Sequence, residues 1–162
     1  MLPIQDQGAT LKSVFNAFDY HCNDETKYPY FEHMINELRY KHVFEEAFKN
    51  AYPIVSYRQT LASKHAIKYI LYKLQQPIIF GMSVHTNFLN ITKENDILSV
   101  PTAKDELLGL HAVLIVGYDD ETDTADILNS HGLDWGNDGY FRIKYEFLLD
   151  PDLSFEFYCI NA

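Results

Sequence analysis

Apolar positions change their period midway along the chain. In the first half they recur at helical spacing. Val14, Phe15, Ala17 and Phe18 make residues 12–20 a short, strongly apolar helix that is expected to be buried. Met34, Ile35 and Leu38, continued by Val43, Phe44, Ala47 and Phe48, predict a second helix over 31–51, which Pro53 ends. Ile67, Ile70, Leu71 and Leu74 share one face of a third, over 64–74. After Pro77 the pattern becomes that of strands: Ile78-Ile79-Phe80, a continuous apolar run over 112–116 that reads as a central strand, then 125–128, 140–143 and 155–160. Residues 86–101, with Asn87, Asn90, Asn95 and Asp96, fit no single element and read as a long excursion. Helices first and strands afterwards predict an α+β fold with two segregated lobes, a helical one over about 6–56 and a β-rich one over about 57–162.

Length and composition narrow the class. The 162 residues suffice for one domain of two small lobes, and 47% hydrophobic with 22% charged residues is ordinary for a globular protein. Aromatics reach 15%, which reads first as core filling in a β-rich protein and second as a partner-binding surface. A formal net charge of −10 repels phosphate backbones and anionic membranes, so neither nucleic acid nor a membrane is an expected partner. No apolar run approaches the ~18 residues of a membrane span. Residues 1–9 lack the basic and apolar regions of a signal peptide, so a cytoplasmic or virion-associated protein is expected. Cys22 and Cys159 can pair, but two cysteines make no disulfide framework, and a reduced compartment is the simpler reading. His21, His33 and His42 lack metal-ligand spacing; no metal or cofactor is expected.

Three distant segments carry chemistry: Gln7-Gly8-Ala9-Thr10-Leu11-Lys12-Ser13-Val14, Leu110-His111-Ala112-Val113 through Val116-Gly117-Tyr118, and Asn129-Ser130-His131 through Trp135-Gly136 and Gly139-Tyr140. A hydroxyl at a helix start, a His heading an apolar strand and an Asn one strand later can form an acyl-transfer site of nucleophile, base and orienting amide. Taken singly each has an ordinary reading, since Ser at a helix start is usually a cap and a lone His is usually structural.

Together the segments resemble the papain family of cysteine peptidases, in particular its compact bacterial and viral forms, from about Pro3 to Ile160. The resemblance implies a papain-like two-lobed fold. It also implies a cleft between the lobes holding Gln7 as oxyanion donor, residue 13 as nucleophile, His111 as base and Asn129 as its orienting partner, and it makes 145–157 the last hairpin, turning at Leu149-Asp150-Pro151. The departures matter as much. Ser13 stands at the nucleophile position, six residues after Gln7, where the family has Cys. Leu11 and Lys12 replace small residues, Val14 an aromatic one, and His131 the Trp that shields the Asn–His bond. His111 follows Ser13 by 98 residues, against about 130–150 in familiar members, so the helical lobe is trimmed. No activation propeptide is expected before Pro3. Cys22 is a rival nucleophile by residue type but lies two to three helical turns past Ser13.

A thiol of pKa about 8.5 can be lowered until thiolate and imidazolium coexist, whereas a serine hydroxyl cannot form that pair. Serine hydrolases compensate with a carboxylate behind the His, and Asn129 carries no charge. The expectation is therefore a silent peptidase homologue that binds a polypeptide segment or protein partner, or serves as a structural module. The alternatives are an active cysteine peptidase disabled by an engineered Cys-to-Ser change and, third, a Ser–His–Asn hydrolase.

Overall fold

The structure, a computed structural model, describes residues 8–18, 24–29, 31, 41–49 and 56–161. The chain divides into two compact units, Met1–Val55 and Ser56–Ala162.

In the first unit, Thr10 begins helix α1 (Leu11–Phe18) as its N-cap: its Oγ1 accepts the Ser13 N–H at 3.0 Å, satisfying a donor that the first turn leaves unpaired. Leu11 and Phe15, one turn apart, are the buried stripe. The expectation of a buried helix holds for this stripe and is corrected for its other apolar residues. Val14 is 42% exposed and Ala17 is exposed, because the helical period turns them away from the Leu11–Phe15 stripe. Of the predicted 31–51 helix, α2 (Lys41–Lys49) is described, with Val43 and Ala47 buried; residues 32–40, 50 and 51 lie outside the described residues.

The second unit opens with β1 (Ser56–Gln59) and then α3 (Lys64–Tyr69), capped by Ser63, whose Oγ accepts from Ala66 N–H at 3.2 Å. The helix runs on as a π-helical turn, Ile70–Leu74, and closes at Gln75 in the left-handed region, with the Gln75 amide donating to the Leu71 and Tyr72 carbonyls. Pro77 follows. Strands β2 (Ile78–His85), β3 (Ile97–Leu98), β4 (Leu107–Asp119), β5 (Thr124–Leu128) and β6 (Tyr140–Lys144), helix α4 (Tyr145–Leu148) and strand β7 (Ser154–Asn161) complete the unit. A 3-10 turn, Thr86–Asn90, occupies the start of the predicted excursion.

The seven strands form one sheet in the order β1-β7-β2-β4-β5-β6-β3, antiparallel except for the β3–β6 pair. β4 is its central strand, yet it is not buried on both faces. Val113 and Ile115 face the core, while Leu110, Ala112 and Val116 alternate with them and are exposed. Ile67, Ile78, Phe80, Met82, Ile115, Ile127, Phe141, Ile143, Phe147 and Leu148 fill the core between α3, α4 and the sheet. The expected hairpin over 145–157 is broken by α4. A helical turn puts Tyr145, Phe147 and Leu148 all in the core, which strand alternation forbids for two consecutive residues. Cys159 on β7 is a buried free thiol that donates to the Arg58 carbonyl at 3.6 Å; Cys22 lies outside the described residues. No described helix is long and apolar enough to cross a membrane.

Candidate active site

The β4–β5 pairing brings together a polar group of the second unit. His111 lies on β4 opposite Met82 of β2, and Asn129 follows the last residue of β5. Asn129 is only 6% exposed, and its backbone N–H is fixed to the Gly139 carbonyl at 2.9 Å. Its side-chain Oδ1 lies 2.8 Å from His111 Nε2 and also accepts the Ser130 N–H at 2.8 Å. The Ser130 contact identifies Oδ1 as the oxygen, since an amide nitrogen there would oppose donor to donor. His111 Nε2 must then donate. The neutral ring carries its lone pair on Nδ1, the nitrogen available as a base. The orienting group is an uncharged amide, which holds the ring but adds no charge to stabilise an imidazolium. Asn129 Nδ2 is buried without a partner.

The Leu114↔Leu128 register, carried three residues further, sets His131 opposite His111. Their rings lie edge to face, 5.1 Å between centroids. An aromatic cluster supports both. Phe88 of the 3-10 turn lies 6.4 Å from each imidazole, Trp135 packs 5.5 Å from His131 and 5.2 Å from Phe88, and Phe141 closes the cluster at 5.3 Å from Trp135. Phe88 was hidden in the polar stretch read as an excursion. Its one signal is that it is the bulky aromatic among the asparagines.

Ser13 belongs to the first unit. It is exposed, and its Oγ donates to the Thr10 carbonyl at 2.8 Å, one turn back along α1. Thr10 thus engages residue 13 twice, through its hydroxyl and through its carbonyl, and the sequence reading had given Thr10 no part. Leu11 is buried, while Lys12 is exposed. Gln7, the expected oxyanion donor, lies outside the described residues, as do His21 and Cys22. Among the described residues no group of three or more His, Cys, Asp or Glu side chains could hold a metal.

The Trp-Gly segment beside His131 depends on a backbone that only glycine adopts readily. Gly136 has φ +60°, and a Cβ there would lie 2.6 Å from the Tyr140 carbonyl oxygen, which accepts the Asn137 N–H. Gly136→Ala is expected to destabilise the unit by about 1–3 kcal/mol, read from urea unfolding. Gly132→Ala is the control. Its φ of +88° is also strained, but the space around it is open, so it is expected to cost less.

The model of the papain family of cysteine proteases matches residues 5–148, and the chain belongs to that family. It is 35% identical over 87 residues to a peptidase C1-like protein of Acanthamoeba polyphaga mimivirus, an alignment covering 52% of this chain and 28% of that one. Xylellain, a cysteine protease from Xylella fastidiosa, superposes with a TM-score of 0.83 at 27% identity, covering 97% of this chain and 63% of the other. Digestive procathepsin L 3 of Tenebrio molitor larval midgut shares the fold at a TM-score of 0.66 and 18% identity, over 96% of this chain and 49% of that one. The chain thus spans less than two thirds of each of these proteins. Its fold is papain-like α+β.

Proposed function

We propose that this chain is a catalytically silent member of the papain family, a single papain-like domain that engages a polypeptide segment or protein partner, with Gln7, Ser13, His111 and Asn129 as the remnant of the catalytic set. The observation that carries this reading is the Ser13 hydroxyl, which donates its proton to the Thr10 carbonyl at 2.8 Å in an ordinary helix-start arrangement. A hydroxyl is a poor nucleophile without a base to take its proton and a carboxylate behind that base. His111 is oriented by the neutral Asn129. Supporting the reading further, the shielding Trp of the family is His131 here, an exposed residue.

The test is a peptide-hydrolysis assay on a pool of fluorogenic substrates, run on the chain as it stands and on Ser13→Ala. Both are expected to stay at background, and thiol-directed active-site probes are expected to leave residue 13 unlabelled. Robust turnover abolished by Ser13→Ala would establish a serine hydrolase instead.

A further inference from the structure

A second polar site lies on the outer face of the sheet, within the Ser56–Ala162 unit and apart from His111 and Asn129. It begins with an irregularity in strand pairing. Ile115 pairs with Ile127, but Gly117 pairs with Asp126, so Val116 is an extra residue on β4 and forms a β-bulge. Bulges bend a strand and re-aim its side chains. Here the bulge leaves Val116 38% exposed and brings Gly117 under the Asp126 carboxylate. A Cβ at residue 117 would meet Asp126 Oδ2 at 2.5 Å, so the carboxylate occupies the room that the glycine leaves. The cavity above has a volume of about 460 Å³, with Val116, Tyr140, Asn137 and Arg142 among its walls.

The charges in this cavity are unevenly satisfied. Arg142 is engaged by Asp96: Nη2 donates to Oδ1 at 2.7 Å and Nε to Oδ2 at 3.2 Å, and the Arg142 backbone N–H donates to the Asp96 carbonyl at 2.7 Å. The Asp126 carboxylate, in contrast, accepts no hydrogen bond among the described residues, and the residue is half-buried. Burial is the main cause that pushes its carboxyl above the usual carboxylate range; Arg142 opposes the shift, and Asp119 and Asp96 add to it. An unpaired, partly desolvated carboxylate is a cost to the folded state that a bound cation would offset. The exposed Val116 side chain and the Tyr140 ring, 43% exposed, offer apolar surface beside it. The formal net charge of −10 attracts cations to the molecule as a whole.

We propose that the cavity over Asp126 binds a primary ammonium or guanidinium group carried on an aliphatic stem. Asp126 receives the cation, Val116 and the Tyr140 ring cover the stem, and the Asp96–Arg142 pair forms a rigid wall. Two sources carry this chemistry, a free polyamine and a Lys or Arg side chain of a polypeptide.

The experiment is an amide chemical-shift titration of the full chain with butylammonium, with 1-butanol as the neutral counterpart. Butylammonium is expected to move the Gly117, Asp126 and Tyr140 resonances, and 1-butanol to leave them in place. Asp126→Asn is expected to weaken binding at least tenfold, as is Gly117→Ala, which displaces the carboxylate. Asp126→Asn should fold without difficulty. A carboxyl whose folded-state pKa is raised stabilises the fold only when protonated, and that contribution is lost as pH rises through the raised value. Removing the charge should therefore raise Tm at pH 7. Binding to the parent chain should fade as pH falls through the Asp126 pKa, with Asp96, Asp119 and Arg142 the charged groups facing it. Spermidine and a capped Gly-Lys-Gly peptide then distinguish the two sources: the better binder names the source. Equal shifts with 1-butanol, or Asp126→Asn affinity within twofold of the parent, would overturn the proposal.

Discussion

Introducing a thiol by Ser13→Cys is expected to leave the chain a poor peptidase. Residue 13 sits in the first turn of α1, whose N-terminal field favours an anion. Its local partner works the other way. The Ser13 Oγ lies 2.8 Å from the Thr10 carbonyl oxygen. A sulfur in the same rotamer would face that oxygen, which accepts from a protonated thiol and repels a thiolate. Hydrogen bonding to the neutral form holds a pKa up. The thiol introduced at residue 13 is therefore expected to titrate near the ordinary value of about 8.5, with about 3% thiolate at pH 7, where a His-paired catalytic thiol of pKa about 3–4 is fully ionised. That difference alone is roughly thirtyfold in nucleophile, before the uncharged Asn129 and the exposed His131 act on His111. The measurement is the rate of iodoacetamide alkylation against pH, in a chain carrying Cys22→Ser and Cys159→Ala so that one thiol reports, together with peptide hydrolysis. A thiol titrating well below about 7 with robust hydrolysis would identify a working cysteine-peptidase site disabled only at residue 13.

The sequence announced some parts of this molecule plainly and concealed others, for identifiable reasons. Apolar runs rich in β-branched residues, such as Ile78-Ile79 and Val113 to Val116, marked β2 and β4, because burial of at least one face demands them. Their lengths were underread. β2 continues through Gly81-Met82-Ser83 and β4 begins at Leu107, where small or exposed residues break the apolar run. β1 (Ser56–Gln59) left no signal, since all four residues of this edge strand are exposed and no apolar alternation marks it. The His111–Asn129 pair was legible because its motif residues sit at fixed positions around one strand pairing. The Thr10 bonds to residue 13 were not: a serine near a helix start looks the same whether its hydroxyl attacks a substrate or closes on a carbonyl one turn back. The Asp126 cavity was hidden for a different reason. It arises from a bulge, one residue of register that no side-chain pattern records.

The aromatic cluster beneath the two imidazoles should be the costliest place to cut. Phe141 is 1% exposed on β6, paired with Ile127 of β5, and its ring stands edge-on to Trp135 at 5.3 Å and to Phe88 at 5.5 Å. Phe88 in turn meets His111 and His131. Phe141→Ala removes the ring's burial and leaves a cavity, together a loss of about 3–5 kcal/mol. Against a total of about 5–15 kcal/mol for a typical domain, that is a large share. Phe141→Leu retains most of the volume and forfeits mainly the edge-to-face contacts, about 0.5–1.5 kcal/mol each, so it should fall between the parent and the alanine variant. Trp135, the chain's single tryptophan, reports unfolding by fluorescence in urea from within the cluster. The same variants connect packing to the site. His111 Nε2–H is held by Asn129 Oδ1 at 2.8 Å, so its proton should exchange slowly with solvent in the parent chain. As Phe88 loses its support in Phe141→Ala, that proton should exchange faster and its resonance broaden or vanish at neutral pH. A Phe141→Ala chain that loses less than about 1 kcal/mol and keeps the His111 proton signal would mean that the cluster fills space without holding the dyad.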